Sequence, residues 1–292
     1  MDHLNDEELA AVSALLSSER LSTFERLAGS NRGAIALHQE MLRLAAALMT
    51  VTAVVEIALR NAVCDQLTEH FGTADWLRNP PERFVWGGEE RQKIRRAEKS
   101  ARQAAYAKLT QEQKRSLDAV AYENQGGVAP PGTPDDEQSK ARQAAIQVPM
   151  GQVVAQLTMY FWKRLFSPDY EQSLWRPALK RVFPHKAITR PEVARHLEAI
   201  YQCRNRIAHH EPVYGRRLRE TEAAFDFVAR HLGVRGIDGA TPLEKLLQPE
   251  MAELHDRAEA MRGRIQALQG ETNQTPQLRC ESSEDRSSTN EQ

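Results

Sequence analysis

The sequence predicts an all-α protein. Helical periodicity runs through almost the whole chain, no convincing run of alternating strand residues interrupts it, and only 15 Gly and 14 Pro occur in 292 residues. Apolar residues make up 41% and charged residues 27% of the chain, as expected for a helical bundle with a real core. The simplest architecture is one bundle over residues 1–270, with a basic helical insertion at about 89–136 and a disordered tail at 271–292.

The first part of the chain predicts one short helix and one long helix. Asn5 and Glu8 have the spacing of a capping box and open a helix that ends near Leu16. Gly33–His70 forms one long periodic segment, and Gly72 follows it at a position that favours glycine. Its middle, LAAALMTVTAVVEIALRNAV, is apolar nearly all round, which is typical of a central, buried helix.

The middle of the chain is basic and its end is polar. A polar helix is expected at about 89–124, and nine Lys/Arg stand against two Glu between Arg91 and Arg115. That stretch fits a solvated face and a nucleic-acid site equally well. Residues 126–136, GGVAPPGTPDD, have the composition of a flexible loop. Helices resume at about 151–166, 170–182, 190–210, 217–232 and 242–269, and the Ser/Glu/Asn-rich end predicts the disordered tail.

Cysteine content and hydropathy predict the compartment. Three cysteines without a CxxC pair argue against a zinc site and against a disulfide framework. The N-terminus, MDHLNDEEL, lacks the apolar segment of a signal peptide. The longest uncharged apolar run, Leu44–Val55, is too short to span a bilayer. We therefore expect a cytoplasmic protein that needs neither a membrane nor a cofactor.

The candidate functional residues lie in CRNRIAHHEPVYG, residues 203–215. Thr189 can cap the preceding helix and Pro212 can end it. At 100° per residue, Arg204 falls in the middle of an apolar face formed by Val193, Leu197, Ile200, Ile207 and Ala208. Burying an unpaired guanidinium costs on the order of several kcal/mol, so this placement calls for a functional reason.

Polar residues flank Arg204 along the same helix. Asn205 and His209 share one strip beside it, and Arg206 and His210 form the next strip toward solvent. Together Arg204, Asn205 and His209 can converge on one anion. An imidazole can exchange protons with a ribose 2′-hydroxyl or a leaving oxygen, an arginine can neutralise the developing phosphorane charge, and an amide can orient either group. This chemistry predicts RNA cleavage without a metal.

Glu56 and Arg60 repeat the anomaly in the central helix. They are four residues apart, in the favourable order for an ion pair, on a face formed by Met49, Thr52, Leu59, Val63 and Leu67. The two residues form either a structural ion pair or part of a cleft shared with Arg204.

The charge around the motif favours an RNA partner. Residues 160–219 contain 13 Lys/Arg and 5 Asp/Glu, a net charge of +8. Such a surface attracts phosphates in a salt-dependent way. The candidate phosphate contacts are Arg206, Arg216, Arg217 and Arg219.

RNRIAHHEP resembles the R-x4–6-H signature of HEPN domains and, more narrowly, the Abi-like (abortive infection) family of bacterial HEPN proteins. VVEIALRNAV is similar to the first signature helix of that family, GQVVAQLTMYFWKRLF and LWRPALKRVFP to its middle block, and RNRIAHHEPVYG to its last block. The resemblance covers roughly residues 34–230, interrupted by the basic stretch at 91–136. The short motif alone is weak, whereas three blocks in the right order are specific.

The resemblance implies a HEPN-like helical bundle and a homodimer in which two motifs form one composite, metal-independent endoribonuclease site. It implies that Arg204 is the motif arginine, Asn205 the polar residue after it and His209 the motif histidine. Members of the family typically act in phage defence or as toxins, often beside an antitoxin, here a protein or an RNA. Some HEPN toxins are modified on a tyrosine two residues after the histidine. Glu211 stands there, so we do not expect that control.

Simpler interpretations of the motif stay open. His209 and His210 can be a pair favoured by the dipole at a helix C-terminus. With Glu211 and His185 they can be metal ligands, although adjacent histidines on a helix point about 100° apart. Cys203 is expected to pack rather than to act as a nucleophile. The alternative function is a non-catalytic RNA- or protein-binding HEPN module, in which the motif serves only to pack the dimer.

Overall fold

The computed structural model describes the backbone of residues 3–284 and the side chains of residues 3–268. The predicted all-α class is confirmed, because this part of the chain is helical and contains no strand. The α-helices are α1 (Asp6–Leu16), α2 (Ser18–Ala28), α3 (Asn31–Phe71), α4 (Gly88–Ala107), α5 (Gln111–Ser116), α6 (Asp118–Ala121), α7 (Asp135–Ala145), α8 (Met150–Ala155), α9 (Met159–Arg164), α10 (Arg190–Ala208), α11 (Gly215–His231) and α12 (Pro242–Glu284). Short 3₁₀ turns lie at Glu123–Gln125, Pro168–Tyr170 and Leu179–Val182, and a π-helical turn lies at Glu171–Trp175.

Several helix ends differ from the prediction. The single polar helix expected over 89–124 is divided into α4, α5 and α6, because Thr110 opens a new capping box with Gln113. The segment expected over 170–182 contains only 3₁₀ and π turns. The predicted tail begins inside α12, whose backbone continues to Glu284, and residues 285–292 lie outside the described residues.

The chain forms two compact units. Unit 1 comprises Met1–Ile57 and His196–Gln292, and unit 2 comprises Ala58–Arg195. The basic stretch over 89–136 belongs to unit 2, which extends well beyond the predicted insertion on both sides. A single domain over 1–270 stays a prediction.

Unit 1 is a helical cluster in which α12 packs against α2 and α11. Arg262 of α12 donates to both carboxylate oxygens of Glu222 on α11, at 3.0 and 3.4 Å. The ring of His196 on α10 stacks on Phe227 of α11, with 4.0 Å between the ring centroids. These contacts fix α10 and α12 against α11 and so position the end of α10.

Unit 2 is built around aromatic side chains. Trp86 lies 4.7–6.1 Å, between ring centroids, from Phe84, Trp76, Phe161 and Tyr170. Phe161, Trp162 and Trp175 are also buried in this core. Helix α4 packs on α7 and α8, and its buried residues Ile94, Ala97 and Ala101 are apolar.

Helix α3 contains an 18-residue window with a mean hydropathy of 1.9, of which 39% is buried. By length and composition this helix is able to cross a membrane. The uncharged run Leu44–Val55 inside it is too short to do so by itself. Core helices of soluble proteins meet the same criterion. The cytoplasmic location therefore stays a prediction.

Candidate functional site: the end of α10

Helix α10 ends at Ala208, one residue before the two histidines, whereas the sequence predicted an end at His210. The N–H of Glu211 donates to the carbonyl of Arg206 at 2.8 Å, and the N–H of His210 donates to the carbonyl of Ile207 at 2.9 Å. This pair of hydrogen bonds is a Schellman motif, in which the residue at the turn adopts the left-handed conformation. His210 occupies that position with φ +55°.

The left-handed turn at His210 is supported from two sides. A non-glycine residue pays about 1–2 kcal/mol for this conformation, so the surrounding contacts must stabilise it. Arg20 of α2 donates from Nη1 to the carbonyl oxygen of His210 at 3.1 Å. Arg206 pairs with Glu211 at 2.9 Å and donates to the carbonyl of Pro212 at 3.2 Å. The guanidinium of Arg206, a predicted phosphate contact, is therefore engaged in the turn.

The chain after the turn is anchored on α3. Val213 is buried, and its N–H lies 3.3 Å from the Sδ of Met41. The exposed histidines thus sit between helix α10 and a buried valine, at a fixed place beside the first turns of α3.

Arg204 lies at the edge of the buried face of α10, not in its middle as predicted. The buried residues of this helix are Val193, His196, Leu197, Ile200, Cys203 and Ile207. Ala208 is exposed and Arg204 is half-buried. His196 and Cys203 extend the buried face on the side away from Arg204. The centre of the buried face therefore lies about 45° from Arg204 around the helix axis. Along the described chain, no residue forms a hydrogen bond or ion pair with the Arg204 side chain.

Asn205 and His209 keep the predicted geometry. The N–H of His209 still bonds to the carbonyl of Asn205 at 3.1 Å, so the helical register continues to His209 and the two side chains share a strip. Asn205 is half-buried and His209 is exposed. His210 is also exposed, but its left-handed backbone takes it off the strip predicted to hold Arg206.

His38 of α3 joins this site and was missed by the sequence analysis. It is 5% exposed and meets the ring of Phe24 edge-on, with 5.3 Å between the ring centroids. Burial, and then the charges of Arg20 and His210, lower the pKa of His38 below its ordinary value. The only sequence signal was a histidine inside an apolar periodic segment, and nothing in the sequence links it to a motif 172 residues away in the chain.

The arginines after the motif differ in their availability. Arg216 is exposed and pairs with Glu220 at 2.7 Å. Arg217 and Arg219 are exposed, and neither has an ion-pair partner in the part of the chain whose side chains are described. Arg217 and Arg219 are therefore better candidates for phosphate contacts than Arg206 and Arg216.

Glu56 and Arg60 also lie at the edge of a buried face. On α3 the buried residues nearby are Leu48, Val51, Thr52, Val55, Leu59, Val63 and Leu67. Glu56 and Arg60 are both half-buried, and the guanidinium carbon of Arg60 lies over the ring of Trp162 at 5.9 Å in unit 2. This cation–π contact gives Arg60 a structural role, and a cleft shared with Arg204 stays a prediction.

Cys203 supports the packing interpretation. It is buried, and burial raises the pKa of its thiol to about 11 against weaker opposing effects of Thr221, Arg206 and Arg217. A thiol that stays protonated at neutral pH is a poor nucleophile. Within the described residues His209, His210 and Glu211 do not form a three-ligand group that could hold a metal ion.

Fold and site together define an all-helical protein with an arginine–histidine cluster at the end of a core helix. Comparisons of the chain with protein-family models, with curated proteins and with solved structures found no match.

We expect His210→Gly to keep or raise the melting temperature of the protein. Glycine relieves a conformational cost of about 1–2 kcal/mol, partly offset by about 0.5–1 kcal/mol of additional backbone entropy in the unfolded chain. His210→Val, with a β-branched side chain that tolerates positive φ poorly, should lower it. Thermal unfolding of both variants measures the difference, and a clearly lower melting temperature for His210→Gly would contradict the assigned strain.

We expect acid to destabilise the protein through His38. Because the pKa of His38 is lowered in the folded state, the unfolded chain binds more protons as the pH falls through the ordinary value of 6.5. The stability contributed by neutral His38 is complete above that value and is lost below it. His38→Phe should therefore show a smaller loss of melting temperature between neutral and mildly acidic pH than the wild type. His255 is exposed, and His255→Gln serves as the control. If the melting temperatures of wild type and His38→Phe fall equally with pH, His38 is not the source of the acid sensitivity.

Proposed function

We propose that this protein is a metal-independent endoribonuclease of the Abi-like HEPN type that cleaves RNA at a composite R-x4-H site. The observation that supports this most is Arg204. Its side chain is half-buried and has no ion-pair partner among the described side chains. Arg204 precedes the exposed His209, which directly follows the end of α10, by five residues. A positioned cation without a carboxylate is suited to an anion that arrives from outside.

The proposed roles follow from the exposure of each side chain. His209 is open to solvent and exchanges protons with the ribose 2′-hydroxyl or the leaving oxygen. Arg204 neutralises the charge that develops on the phosphorus oxygens. Asn205, on the strip of His209, orients the scissile phosphate or the imidazole. None of these steps requires a metal ion or a cofactor.

Positive charge around the motif supports an RNA substrate. Arg20 reaches the turn from α2, and the exposed Arg217 and Arg219 follow it on α11. His38, held neutral at physiological pH by its lowered pKa, contributes no charge of its own. The cations that remain for RNA are thus Arg204, Arg217 and Arg219.

An apolar stripe on α3 supports the homodimer. Leu42 is 43% and Ile57 is 55% exposed, and the half-buried Met49 and the exposed Ala46 and Ala53 lie between them on the same side of the helix. This α3 stripe runs beside Glu56 within unit 1. Pairing two copies of the stripe removes apolar surface from water and brings two motifs into one assembly.

The biological role we propose comes from the resemblance. The protein acts in the cytoplasm as a phage-defence effector or as the toxin of a toxin–antitoxin pair, with its own copy and an RNA substrate as partners. A cognate antitoxin, protein or RNA, would hold it inactive.

A non-catalytic binding module is the second candidate function. The engagement of Arg206 in the turn and the Schellman geometry of His210 favour it, because these two neighbours of the motif residues already have structural roles. In that case the fold binds RNA or a protein partner and the motif only shapes the helix end.

We expect His209→Ala and Arg204→Ala to abolish cleavage of a single-stranded RNA by the purified protein. Loss of a general acid–base group lowers the rate by about 10²–10⁴-fold, whereas the exposed position of His209 predicts an unchanged melting temperature for His209→Ala. Wild-type products should end in a 2′,3′-cyclic phosphate, and EDTA should leave the rate unchanged. His255→Ala, an exposed histidine on α12, is the control and should cleave normally.

Two results would redirect this proposal. If wild type and His209→Ala are equally inactive on RNA and equally harmless when expressed, the binding-module function is favoured. If EDTA removes the activity and a divalent ion restores it, the metal-independent mechanism is wrong.

We expect Ile57→Glu to convert the dimer to a monomer. A carboxylate on the α3 stripe would be desolvated in the interface, opposite its own symmetry copy. Sedimentation velocity of the wild type and the variant measures this, with Leu246→Glu, an exposed leucine on α12, as the matched control. A wild-type monomer at all concentrations, or a variant that remains dimeric, would rule out this interface.

A further inference from the structure

A cavity of about 300 Å³ lies in unit 2, between the chain after α3 and the start of α4. We call it the α4 cavity. Its apolar lining is formed by Leu77, Pro80, Phe84, Val85, Trp86 and Ile94. The volume lies at the small end of the range for ligand sites, which suits a single ring system better than a large cofactor.

The floor of the α4 cavity is formed by packed aromatic rings. Phe84 and Trp86 are buried, and their rings meet edge-on with 4.7 Å between centroids. The indole N–H of Trp86 donates to the carbonyl of Leu77 at 3.0 Å, which satisfies the one polar atom of that side chain. Val85, between them, is 71% exposed at the edge of the cavity. A planar, weakly polar group can therefore enter without leaving a buried hydrogen-bonding group unpaired.

The charge at the cavity is positive and not compensated. Arg78 pairs with Asp75 at 2.6 Å, and Glu98 pairs with Arg102 at 2.9 Å, so these four charges cancel. Two further arginines in the lining, Arg91 and Arg95, are exposed, and neither has a carboxylate partner among the described side chains.

Arg91 and Arg95 are spaced to hold phosphate. They lie four residues apart on α4 and therefore project from the same side of the helix, on successive turns. Guanidinium groups bind phosphate oxygens with paired hydrogen bonds, and they also stack on planar rings. An apolar cavity for a ring, with two free guanidinium groups in its lining, matches a base attached to a phosphodiester chain.

We propose that the α4 cavity binds one nucleotide of single-stranded RNA, with its base in the cavity and its flanking phosphates on Arg91 and Arg95. The choice of RNA rests on the proposed function, which it deepens by giving the enzyme a binding site for substrate outside the motif. A duplex does not fit this site, because its bases are stacked and paired and cannot enter the cavity.

The test compares two double variants of α4 that remove equal charge. R91A/R95A removes the cavity arginines, and R96A/K99A removes two exposed cations of the same helix that do not line the cavity. Each is titrated by fluorescence anisotropy with a 2′-O-methyl single strand, which the proposed chemistry cannot cleave, and with the matching duplex. Melting temperatures show whether both variants are folded.

We expect R91A/R95A to weaken single-strand binding by about tenfold or more, and to reduce the slope of log K against log salt by about 1.4, as two lost phosphate contacts require. R96A/K99A should weaken it much less. Duplex binding should be equal in the two variants. The proposal would be overturned if the two double variants bound the single strand equally well. It would also be overturned if R91A/R95A weakened duplex binding as much as it weakened single-strand binding.

This test is independent of cleavage. If the wild type cleaves no RNA but single-strand binding depends on Arg91 and Arg95, the α4 site stands and the nuclease fails. If the wild type cleaves RNA and R91A/R95A matches R96A/K99A in affinity and in rate, the nuclease stands and the α4 site fails.

Discussion

The left-handed backbone at His210 is the constraint on which the candidate site depends. In the described part of the protein, Ser17 and His210 are the only residues other than glycine with positive φ. Arg20, three residues after Ser17, donates a hydrogen bond to the carbonyl of His210. The turn ends α10 after Ala208, leaves His209 in helical register with Asn205, and sends Val213 into the core beside Met41. If α10 continued in helical conformation, His209 would keep its direction and His210 would lie on the strip of Arg206. The left-handed backbone thus redirects His210 and the chain after it, and leaves His209 on the strip of Asn205.

The charged residues on the two long helices share one position, the border between the buried face and solvent. Arg204 on α10 and Glu56 on α3 are both half-buried there. At a border the aliphatic stem of an arginine packs on apolar neighbours while its guanidinium keeps access to water, so the desolvation cost is far smaller than at the centre of a core. The α3 stripe with Leu42 and Ile57 lies beside Glu56. In the dimer we propose, the same border would become the wall of a site shared by two chains, and water would be excluded from it only after assembly.

The sequence predicted the helical class, the capping box at Asn5, the long apolar α3 and the approximate place of the motif. It misplaced Arg204 and Glu56 by a fraction of a turn, because a helical wheel counts apolar residues and cannot see that Cys203 or His196 is buried while Ala208 is exposed. The break at Thr110 was missed, since local capping competes with a periodicity that continues across it. His38 was missed for a different reason. The charges that act on it belong to Arg20 and His210, in other segments of the chain, and such interactions leave no pattern in a single sequence.

The order of the chain has a consequence for when this cluster can exist. His38 and Arg20 belong to the first segment of unit 1, and His210 belongs to the second, with all of unit 2 between them in the sequence. During synthesis the continuous residues 58–195 leave the ribosome before the second segment of unit 1 has been made. A nascent chain therefore carries no assembled motif until the second segment of unit 1 has been synthesised. For the ribonuclease proposed above, this order would keep the site from forming while the message and the ribosome are still producing the chain.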